Sequence, residues 1–355
     1  MTLGRAHKGQ QTILVTGGAG FLGQEVVKIL LAETDHTIRC LVRPETTQQR
    51  FEKILGDQQS HHNRFELFPA SFNDADALKD ACKNTSVVLH LAASTVGSIP
   101  SQIANTVVAT ENLLNACVAR KALSKFVLCS SFGVIGASAI NRGEDIDEQV
   151  PLETHPELRD PYSFTKLAQE QLLWKYQKKY DLPINVIRPG VIFGPPHSIL
   201  TPRIGISMFG LFLHLGGKNK IPLTFKTNCA KAIVLAGLNE HITNEAFCIV
   251  DDDLPTSSYL LKRYKKQIAP IRHIRIPYLI LRQLAKLNTW YSDKTNDHIP
   301  KIFTTYKVDA MWQGNNFPNT KAKKMLNWRP ETSMDEALDA TFEYMKSTLH
   351  NVDHK

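Results

Sequence analysis

The segment Thr12-Ile-Leu-Val-Thr-Gly-Gly-Ala-Gly-Phe-Leu-Gly23 places a short apolar run directly before three spaced glycines. The run predicts a strand buried on both faces, and the apolar residues after the glycines predict a helix. The first glycine permits a tight turn, the second lets the backbone approach a pyrophosphate at the helix N-terminus, and the third lets helix pack closely on strand. The segment therefore predicts a Rossmann-type nicotinamide dinucleotide site. The contacts predicted in it are Gly17, Gly20, Phe21, Leu22 and Gly23.

The first half of the chain alternates short apolar runs with helical stretches. Strands are predicted at 12–16, 37–42, 65–68, 87–91, 126–130 and 184–188, and helices at 21–32, 74–82, 106–120 and 162–180. This alternation predicts an α/β fold, a doubly wound parallel Rossmann sheet with a small C-terminal substrate lobe. The Rossmann domain is expected to span 11–195, with sheet and helix contributions from about 224–250. The substrate-binding lobe is expected to comprise 196–223 and 251–346.

The second half has a weaker pattern. Residues 197–223 appear irregular in sequence, and alternation returns at 246–250. Apolar spacing over 276–287 predicts a helix that carries Ile280, Leu284 and Leu287 on one face. Residues 333–336 form a capping-box pattern, which predicts a final helix with apolar side chains at 338, 342 and 345 on one side.

Composition narrows the functional class. The chain has 355 residues, of which 43% are hydrophobic and 21% charged, which is typical of a globular protein and excludes a disordered or multi-span one. Its six cysteines form no CxxC pair, so we expect reduced thiols, a cytoplasmic location and no metal site. The net charge is +8, with a basic cluster at 262–275. That cluster is interpreted as a solvated helix face or an attraction for an anionic substrate or membrane surface, and no nucleic-acid-binding module accompanies it.

The predicted second strand ends in Cys40-Leu-Val-Arg43. An acidic residue at this point would bond the ribose hydroxyls of NAD, but the sequence has Arg43 instead. A guanidinium can hold a 2′-phosphate and stack on adenine. The expected cofactor is therefore NADP, with NAD as the alternative.

Tyr162 and Lys166 stand four residues apart, and hence on one helix face, at the start of the helix between the fifth and sixth strands. A tyrosine with an ordinary pKa is a poor acid–base catalyst at neutral pH, and a nearby cation favours its phenolate. We expect Tyr162 to exchange a proton with the substrate oxygen and Lys166 to reach the nicotinamide ribose. Ser131, at the carboxyl end of the fifth strand, is expected to hydrogen-bond the substrate oxygen, with Ser130 as its rival.

Five motifs follow one another along the chain: Thr16-Gly-Gly-Ala-Gly-Phe-Leu-Gly23, His90-Leu-Ala-Ala93, Ser130-Ser131, Tyr162 with Lys166, and Arg188-Pro-Gly-Val-Ile-Phe-Gly-Pro195. In this order they resemble the extended short-chain dehydrogenase/reductases, the group that includes nucleotide-sugar epimerases and 3β-hydroxysteroid dehydrogenases. The resemblance runs from about residue 12 to 345. It implies further cofactor contacts at Leu91, Ala92, Ala93, Pro189 and Val191.

The chain also departs from that pattern. The family's acid after the third strand is absent, and where the family often has an asparagine early in the fourth helix this chain has Thr106. Asn105 stands one residue too early, so it would face about 100° away. This puts an asparagine-supported proton relay in doubt.

The patterns around Asn228 and at 246–255 resemble the hydroxysteroid dehydrogenase branch, and the diphosphate-binding Arg-Asp-Phe of sugar epimerases is missing. The expected activity is an NAD(P)-dependent interconversion of secondary alcohol and ketone on a fairly apolar, sterol- or isoprenoid-like substrate. A nucleotide-sugar epimerase or dehydratase with retained NAD remains an alternative, with Lys218 and Lys220 near the diphosphate, as does a non-catalytic dinucleotide sensor. By analogy, helices 106–120 and 162–180 could pair in a homodimer. The apolar stretch 208–213 could line the pocket, fill the lobe core or help the enzyme rest on a membrane.

Overall fold

The structure is a computed structural model that describes residues 11–46, 51, 63–120, 123–208, 210–295 and 303–352. Its centre is a seven-stranded sheet in which every pairing is parallel, in the order β11-β6-β5-β4-β1-β2-β3. The order reverses between β1 and β4, which is where open α/β sheets bind their ligands. The strands are β1 Thr12–Thr16, β2 Thr37–Val42, β3 Phe65–Pro69, β4 Thr85–His90, β5 Lys125–Cys129, β6 Ile184–Pro189 and β11 Glu245–Ile249.

Helices cover both faces of this sheet, so the α/β Rossmann fold is confirmed. One face packs against α1 and α5, and the other against α2, α3 and α4, with a separate apolar core on each side. The bounds are α1 Phe21–Glu33, α2 Ala75–Ala81, α4 Pro161–Tyr180 and α5 Lys226–Leu238. Helix α3 is continuous over Ile99–Ile103, a π-helical segment Ala104–Val108, and Ala109–Val118.

The start of α3 differs from the prediction. It begins at Ile99, where Ser98 caps the helix and Pro100 occupies its first turn, and not at 106. The π-helical segment interrupts the 3.6-residue period, which hides the first turns from a periodicity analysis. The other predicted helices and the strands of the first half agree with the structure to within two residues at each end.

The lobe adds two small sheets. Strand β7 Val191–Phe193 pairs in parallel with β10 Leu223–Phe225, and the hairpin β8 Gly205–Met208 with β9 Leu211–His214 is extended by β12 His273–Arg275. The prediction of an irregular 197–223 was therefore wrong. In the apolar stretch Phe212 is buried in the lobe core and Leu211 is exposed, while residue 209 lies outside the described residues.

Among the described residues, four further helices belong to the lobe: α6 Ser257–Gln267, α7 Tyr278–Lys294, α8 Thr305–Trp312 and α10 Met334–Val352. Helix α9, Thr320–Met325, instead packs on the Rossmann sheet, since Ala322 lies in the same apolar core as α1. The capping box is confirmed, because the Ser333 amide donates to the Glu336 carboxylate at 2.9 Å and α10 follows directly. In α7 the predicted apolar face, with Ile280, Leu284 and Leu287, points to solvent. Within the described residues no helix is long and apolar enough to cross a bilayer.

Candidate active site

The glycine turn joins β1 to α1 and lies against the chain that leaves β4. Gly17 has φ +73°, and a Cβ there would meet the Ala92 nitrogen at 2.9 Å. Gly20 is the N-cap of α1 and supplies no side-chain cap, and the first helical turn carries no acid. The helix N-terminus thus keeps its free amides for an anion. A Cβ on Gly23 would lie 2.1 Å from the Gly17 carbonyl oxygen, so this position also requires glycine.

The remaining predicted dinucleotide contacts surround this turn. Leu91, Ala92 and Ala93 follow β4 in extended chain, and the Ala92 amide donates to the Thr16 hydroxyl at 3.2 Å. Pro189 ends β6 and Val191 begins β7, so they stand at the carboxyl end of the sheet next to β5. These chain segments meet at one edge of the sheet, where a dinucleotide would lie across β1 and β4.

Phe21 and Leu22 open α1 and are partly buried. The Phe21 ring meets the His197 ring edge to face at a centroid distance of 4.3 Å, which joins the glycine turn to the segment after β7. Arg43 directly follows β2, with a side chain 82% exposed and its guanidinium 4.0 Å from the Glu45 carboxylate. This places an exposed cation at the end of β2, together with Glu45, an acid that sequence reasoning missed.

Ser131 and Tyr162 form the polar pair at the end of β5. Ser131 directly follows the strand and Tyr162 lies in the first turn of α4, and the serine hydroxyl lies close enough to the phenol to act on its pKa. The Ser131 oxygen also accepts from the Gly133 amide at 3.0 Å, which fixes its rotamer. Asp160 caps α4 by accepting from the Ser163 amide, so the helix start that carries Tyr162 is held in place.

The neighbouring Ser130 faces the other way. It is buried, and its hydroxyl donates to the Glu170 carboxylate at 2.5 Å. Glu170 in turn forms a buried ion pair with Arg188, whose Nη2 lies 2.5 Å from Oε1. Ser130 therefore belongs to a charged network below the site, and the hydroxyl that contacts Tyr162 is that of Ser131.

Lys166 lies one helical turn after Tyr162 and is almost fully buried. Its ammonium donates to the Cys129 carbonyl at 2.6 Å and to the Gln169 amide oxygen. Gln169 then donates to the Thr110 hydroxyl at 2.7 Å, and Thr110 also contacts the His90 ring at 2.8 Å. A connected polar network thus fixes the position of the lysine.

The pKa values in this network correct one expectation. Burial raises the pKa of Tyr162 to about 12, and it lowers the pKa of Lys166 to about 8. The prediction that Lys166 shifts Tyr162 toward its phenolate is thus wrong here, because burial dominates and the ammonium is held by a carbonyl and an amide. Burial also lowers the pKa of His90 to about 3, so its ring stays neutral at physiological pH.

The π-helical segment of α3 determines which way the side chains of Thr106 and Asn105 face. It turns Thr106 inward, where its hydroxyl accepts from the Ser94 amide at 2.9 Å, while Asn105 is exposed and donates back to the Ser101 carbonyl. Asn105 thus faces away from the site, as its position one residue early predicted. Single π-helical turns often occur at functional sites.

Sequence reasoning missed Gln169, Glu170 and the residues that carry the π-helical segment. Gln169 has a readable signal, because it stands three residues after Lys166 and so shares its helix face. Glu170 pairs with Arg188, which is contributed by another strand, so local spacing gives no signal. It also missed Arg203, whose guanidinium lies 6.0 Å from the centre of the Phe317 ring.

Comparison with known proteins agrees with this geometry. The model of the NAD dependent epimerase/dehydratase family matches residues 13–244, which include the glycine turn, Ser131, Tyr162 and Lys166. The chain belongs to this family. It is accordingly an NAD(P)-dependent enzyme of the extended short-chain dehydrogenase/reductase type, a dehydrogenase or an epimerase.

Two curated relatives align with this chain over nearly all of its length. The sterol-4-alpha-carboxylate 3-dehydrogenase (decarboxylating) of Bos taurus is 29% identical over 345 residues, covering 92% of this chain and 90% of the relative. Its counterpart from Candida albicans is 25% identical, with 96% and 99% covered. Among solved structures, UDP-glucuronic acid 4-epimerase from Bacillus cereus, in complex with UDP-glucuronic acid and NAD, has a TM-score of 0.68 at 21% identity, covering 95% and 100% of the two chains. This last similarity shows the fold alone.

Proposed function

We propose that the protein interconverts a secondary alcohol and a ketone on a largely apolar substrate that bears an acidic group, with NADP as its exchangeable cofactor. The observation that carries the proposal is the polar set at the end of β5, where Ser131 contacts Tyr162 and Lys166 lies one helical turn away. The full-length similarity to sterol-4-alpha-carboxylate 3-dehydrogenases supports the substrate class.

The residues fit a dinucleotide. Three glycines leave space that a Cβ would fill, and the N-terminus of α1 carries neither acid nor cap. Gly17, Gly20 and Gly23 would hold the pyrophosphate with the amides at Phe21 and Leu22. The other residues proposed to hold the cofactor are Leu91, Ala92, Ala93, Tyr162, Lys166, Pro189 and Val191. When bound, the cofactor supplies the hydride acceptor or donor.

The chain itself handles the proton and the substrate oxygen. Tyr162 takes the hydroxyl proton during oxidation and returns it during reduction, through its phenolic oxygen. Ser131 donates a hydrogen bond to the same substrate oxygen, which it can do because the Gly133 amide holds its rotamer. The high pKa of Tyr162 in the free protein keeps the phenol protonated at neutral pH, which suits it to donate a proton when a ketone is reduced.

The surroundings of Ser131 support an apolar substrate. Phe132, Val134 and Ile135 follow it and are buried in one cluster, with the Phe317 ring 5.9 Å from that of Phe132. Ile135 occupies the position at which the resembling family commonly has a tyrosine. Val134 and Ile135 are fully buried, so they form core next to Ser131 and make its surroundings apolar, which favours a hydrocarbon skeleton over a sugar.

Arg203 supports the proposal that the substrate bears an acidic group. Its guanidinium lies over the Phe317 ring, and among the described ion pairs it has no carboxylate partner. Desolvation and the charge of Arg159 lower the pKa of Arg203 to about 10. The half-buried guanidinium donates to the Met311 carbonyl at 3.4 Å, and a carboxylate from a ligand would stabilise its charge further. A substrate carboxylate would do so.

The test is a turnover assay with apolar secondary alcohols and ketones, with and without a carboxylate, and with UDP-sugars as the competing class. We expect net NADPH change with the acidic apolar compounds, and a loss of at least about 1,000-fold in Tyr162→Phe. Tyr344→Phe, which changes an exposed tyrosine on α10, is the matched control and should retain activity. Epimerisation of a UDP-sugar with tightly retained NAD and no net redox change would overturn the proposal in favour of an epimerase.

The proposed preference for NADP over NAD depends on Arg43. Its exposed guanidinium at the end of β2 can meet a 2′-phosphate, and we expect Arg43→Ala to weaken NADPH binding by about 10- to 100-fold while NADH binding stays within about twofold. Arg120→Ala, an exposed arginine at the end of α3, should change neither. Equal loss for both cofactors, or NADH bound more tightly by the wild type, contradicts this assignment.

We further infer a cytoplasmic homodimer that takes its substrate from a membrane surface. All six cysteines are free and buried, which suits a reducing compartment. Val108 on α3 and Tyr180 on α4 are exposed apolar residues on the two helices that would pair, 40% and 43% exposed. Sedimentation of Val108→Glu against the wild type tests the dimer, and an unchanged oligomeric state would contradict it.

A further inference from the structure

Helix α7, Tyr278–Lys294, carries apolar residues on two opposite faces. Its inner face packs Leu281 and Ala285 against Val308, Trp312 and Leu215 of the lobe. Its outer face exposes six large apolar side chains, each 46–67% accessible. At about 100° per residue these six fall within one sector of about 140°. We call this sector the outer face of α7; it consists of Leu279, Ile280, Leu284, Leu287, Trp290 and Tyr291.

The outer face is too large for incidental exposure. Six half-exposed side chains of this size present roughly 600 Å², at the upper limit of the largest apolar patch on an ordinary monomer. Ile274 in the preceding strand β12 adds another side chain that is 52% exposed. Because the inner face is already packed on α8, the helix presents this surface while it stays part of the folded lobe.

The chain segment that contains the outer face is basic. Between residues 254 and 292 the sequence has no Asp or Glu, whereas Lys or Arg occurs eight times; two of these, Arg263 and Arg282, pair with Asp339 and Asp309. On α6 and β12, Lys262, Lys265 and Arg275, here called the cationic border, line a cleft of about 310 Å³. An apolar face in a basic segment matches the arrangement of a bilayer that carries anionic lipids, where apolar side chains enter the acyl boundary and cations meet the phosphates.

We propose that the outer face of α7 docks onto an anionic phospholipid bilayer, with lipid headgroups bound near Lys262, Lys265 and Arg275. Trp290 and Tyr291 supply the amphipathic rings that favour the membrane–water interface. A second copy of the chain fits this surface less well, because a twofold contact would bring the two positive regions together. The proposed docking depends on the proposed function only for its biological role, which is to place the lobe where an apolar substrate partitions.

The test uses the full-length protein and vesicles of phosphatidylcholine, with or without phosphatidylserine, in a flotation assay without substrate. We expect the wild type to float with the mixed vesicles, and Leu284→Glu/Leu287→Glu to bind them at least about tenfold more weakly. The matched control is Met325→Glu/Tyr344→Glu, which changes two exposed apolar residues on other helices and should float like the wild type. Thermal unfolding checks that both double variants are folded.

The cationic border is tested separately. Lys262→Glu/Arg275→Glu should lose the part of binding that phosphatidylserine adds, while binding to phosphatidylcholine alone stays at the wild-type level. Wild type that floats with neither vesicle overturns the proposal, as does undiminished binding by Leu284→Glu/Leu287→Glu. A wild-type dimer that this variant converts to a monomer, without vesicle binding, would assign the face to a second copy. Because no substrate is present, failure of the proposed enzyme activity would leave these results unchanged.

Discussion

The Gly23→Ala variant tests whether the glycine turn holds a dinucleotide through backbone geometry. A Cβ at Gly23 would lie 2.1 Å from the Gly17 carbonyl oxygen and 2.8 Å from the Gly18 Cα, whereas ordinary contact begins at 3.4 Å. The turn must therefore retreat by more than an ångström. Overpacking of this kind destabilises by about 1–3 kcal/mol, which would lower the melting temperature by roughly 1–4 °C.

The same retreat removes the amides of the turn from the pyrophosphate. Loss of two hydrogen bonds to a charged group corresponds to at least about 100-fold in dissociation constant. Gly20→Ala is the matched control, because φ at Gly20 is −79° and its added Cβ meets only the Gly17 oxygen, at 3.1 Å. We expect it to unfold within about 1 °C of the wild type but to bind NADPH more weakly, since the methyl group occupies the approach to the phosphate.

The assays are thermal unfolding and titration of NADPH fluorescence. A Gly23→Ala protein with the melting temperature and the NADPH affinity of the wild type would show that neither the turn nor dinucleotide binding requires glycine at this position. A variant that loses stability yet keeps its affinity would show that the turn is structural and that the dinucleotide is held elsewhere.

Three further predictions follow from buried polar groups. Ser131→Ala should lower kcat by about 100-fold with little change in stability. Ser130→Ala breaks the hydrogen bond to Glu170, so it should destabilise the protein by about 1.5–3 kcal/mol with kcat nearly unchanged. Steady-state kinetics and denaturant unfolding of both variants check this pair of expectations. Arg203→Met should weaken carboxylate substrates specifically, because it removes the half-buried cation that would pair with the acid, and KM values for carboxylate and neutral substrates would show this. The pKa of Lys166 is about 8 in the folded protein, below its unfolded value of 10.5, so its contribution to stability is present at high pH and is lost as pH falls through 8. The free energy of unfolding of the wild type, relative to that of Lys166→Met, should therefore rise by about 1–2 kcal/mol between pH 7.5 and 9.5. A difference that stays constant with pH would contradict this.

The strands and the glycine turn could be predicted because their signals are local. Buried parallel strands have continuous apolar runs, such as Ile13–Val15, whose three residues are fully buried, and the turn requires glycine at positions where any Cβ would clash. The helix that carries Tyr162 and Lys166 followed from the same alternation. These features depend on residues next to each other in sequence.

What could not be predicted depends on residues far apart. The π-helical segment turns Thr106 inward through contacts with Ser94, and no sequence period reports it. The high pKa of Tyr162 arises from burial, which the spacing of Tyr162 and Lys166 does not reveal. For α7, apolar spacing correctly indicates a helix with an apolar face, yet it cannot tell whether that face meets the core or the solvent.

NADPH turnover with an apolar ketone bearing a carboxylate, by wild type and Tyr162→Phe, tests whether Tyr162 supplies the proton in a net reduction. We expect stoichiometric NADPH consumption and alcohol formation by the wild type, with the rate in Tyr162→Phe at least about 1,000-fold lower while NADPH binding persists. This expectation is contradicted if Tyr162→Phe reduces the ketone at the wild-type rate. It is also contradicted if the purified protein carries equimolar NAD that it does not release and inverts a UDP-sugar without net NADPH change.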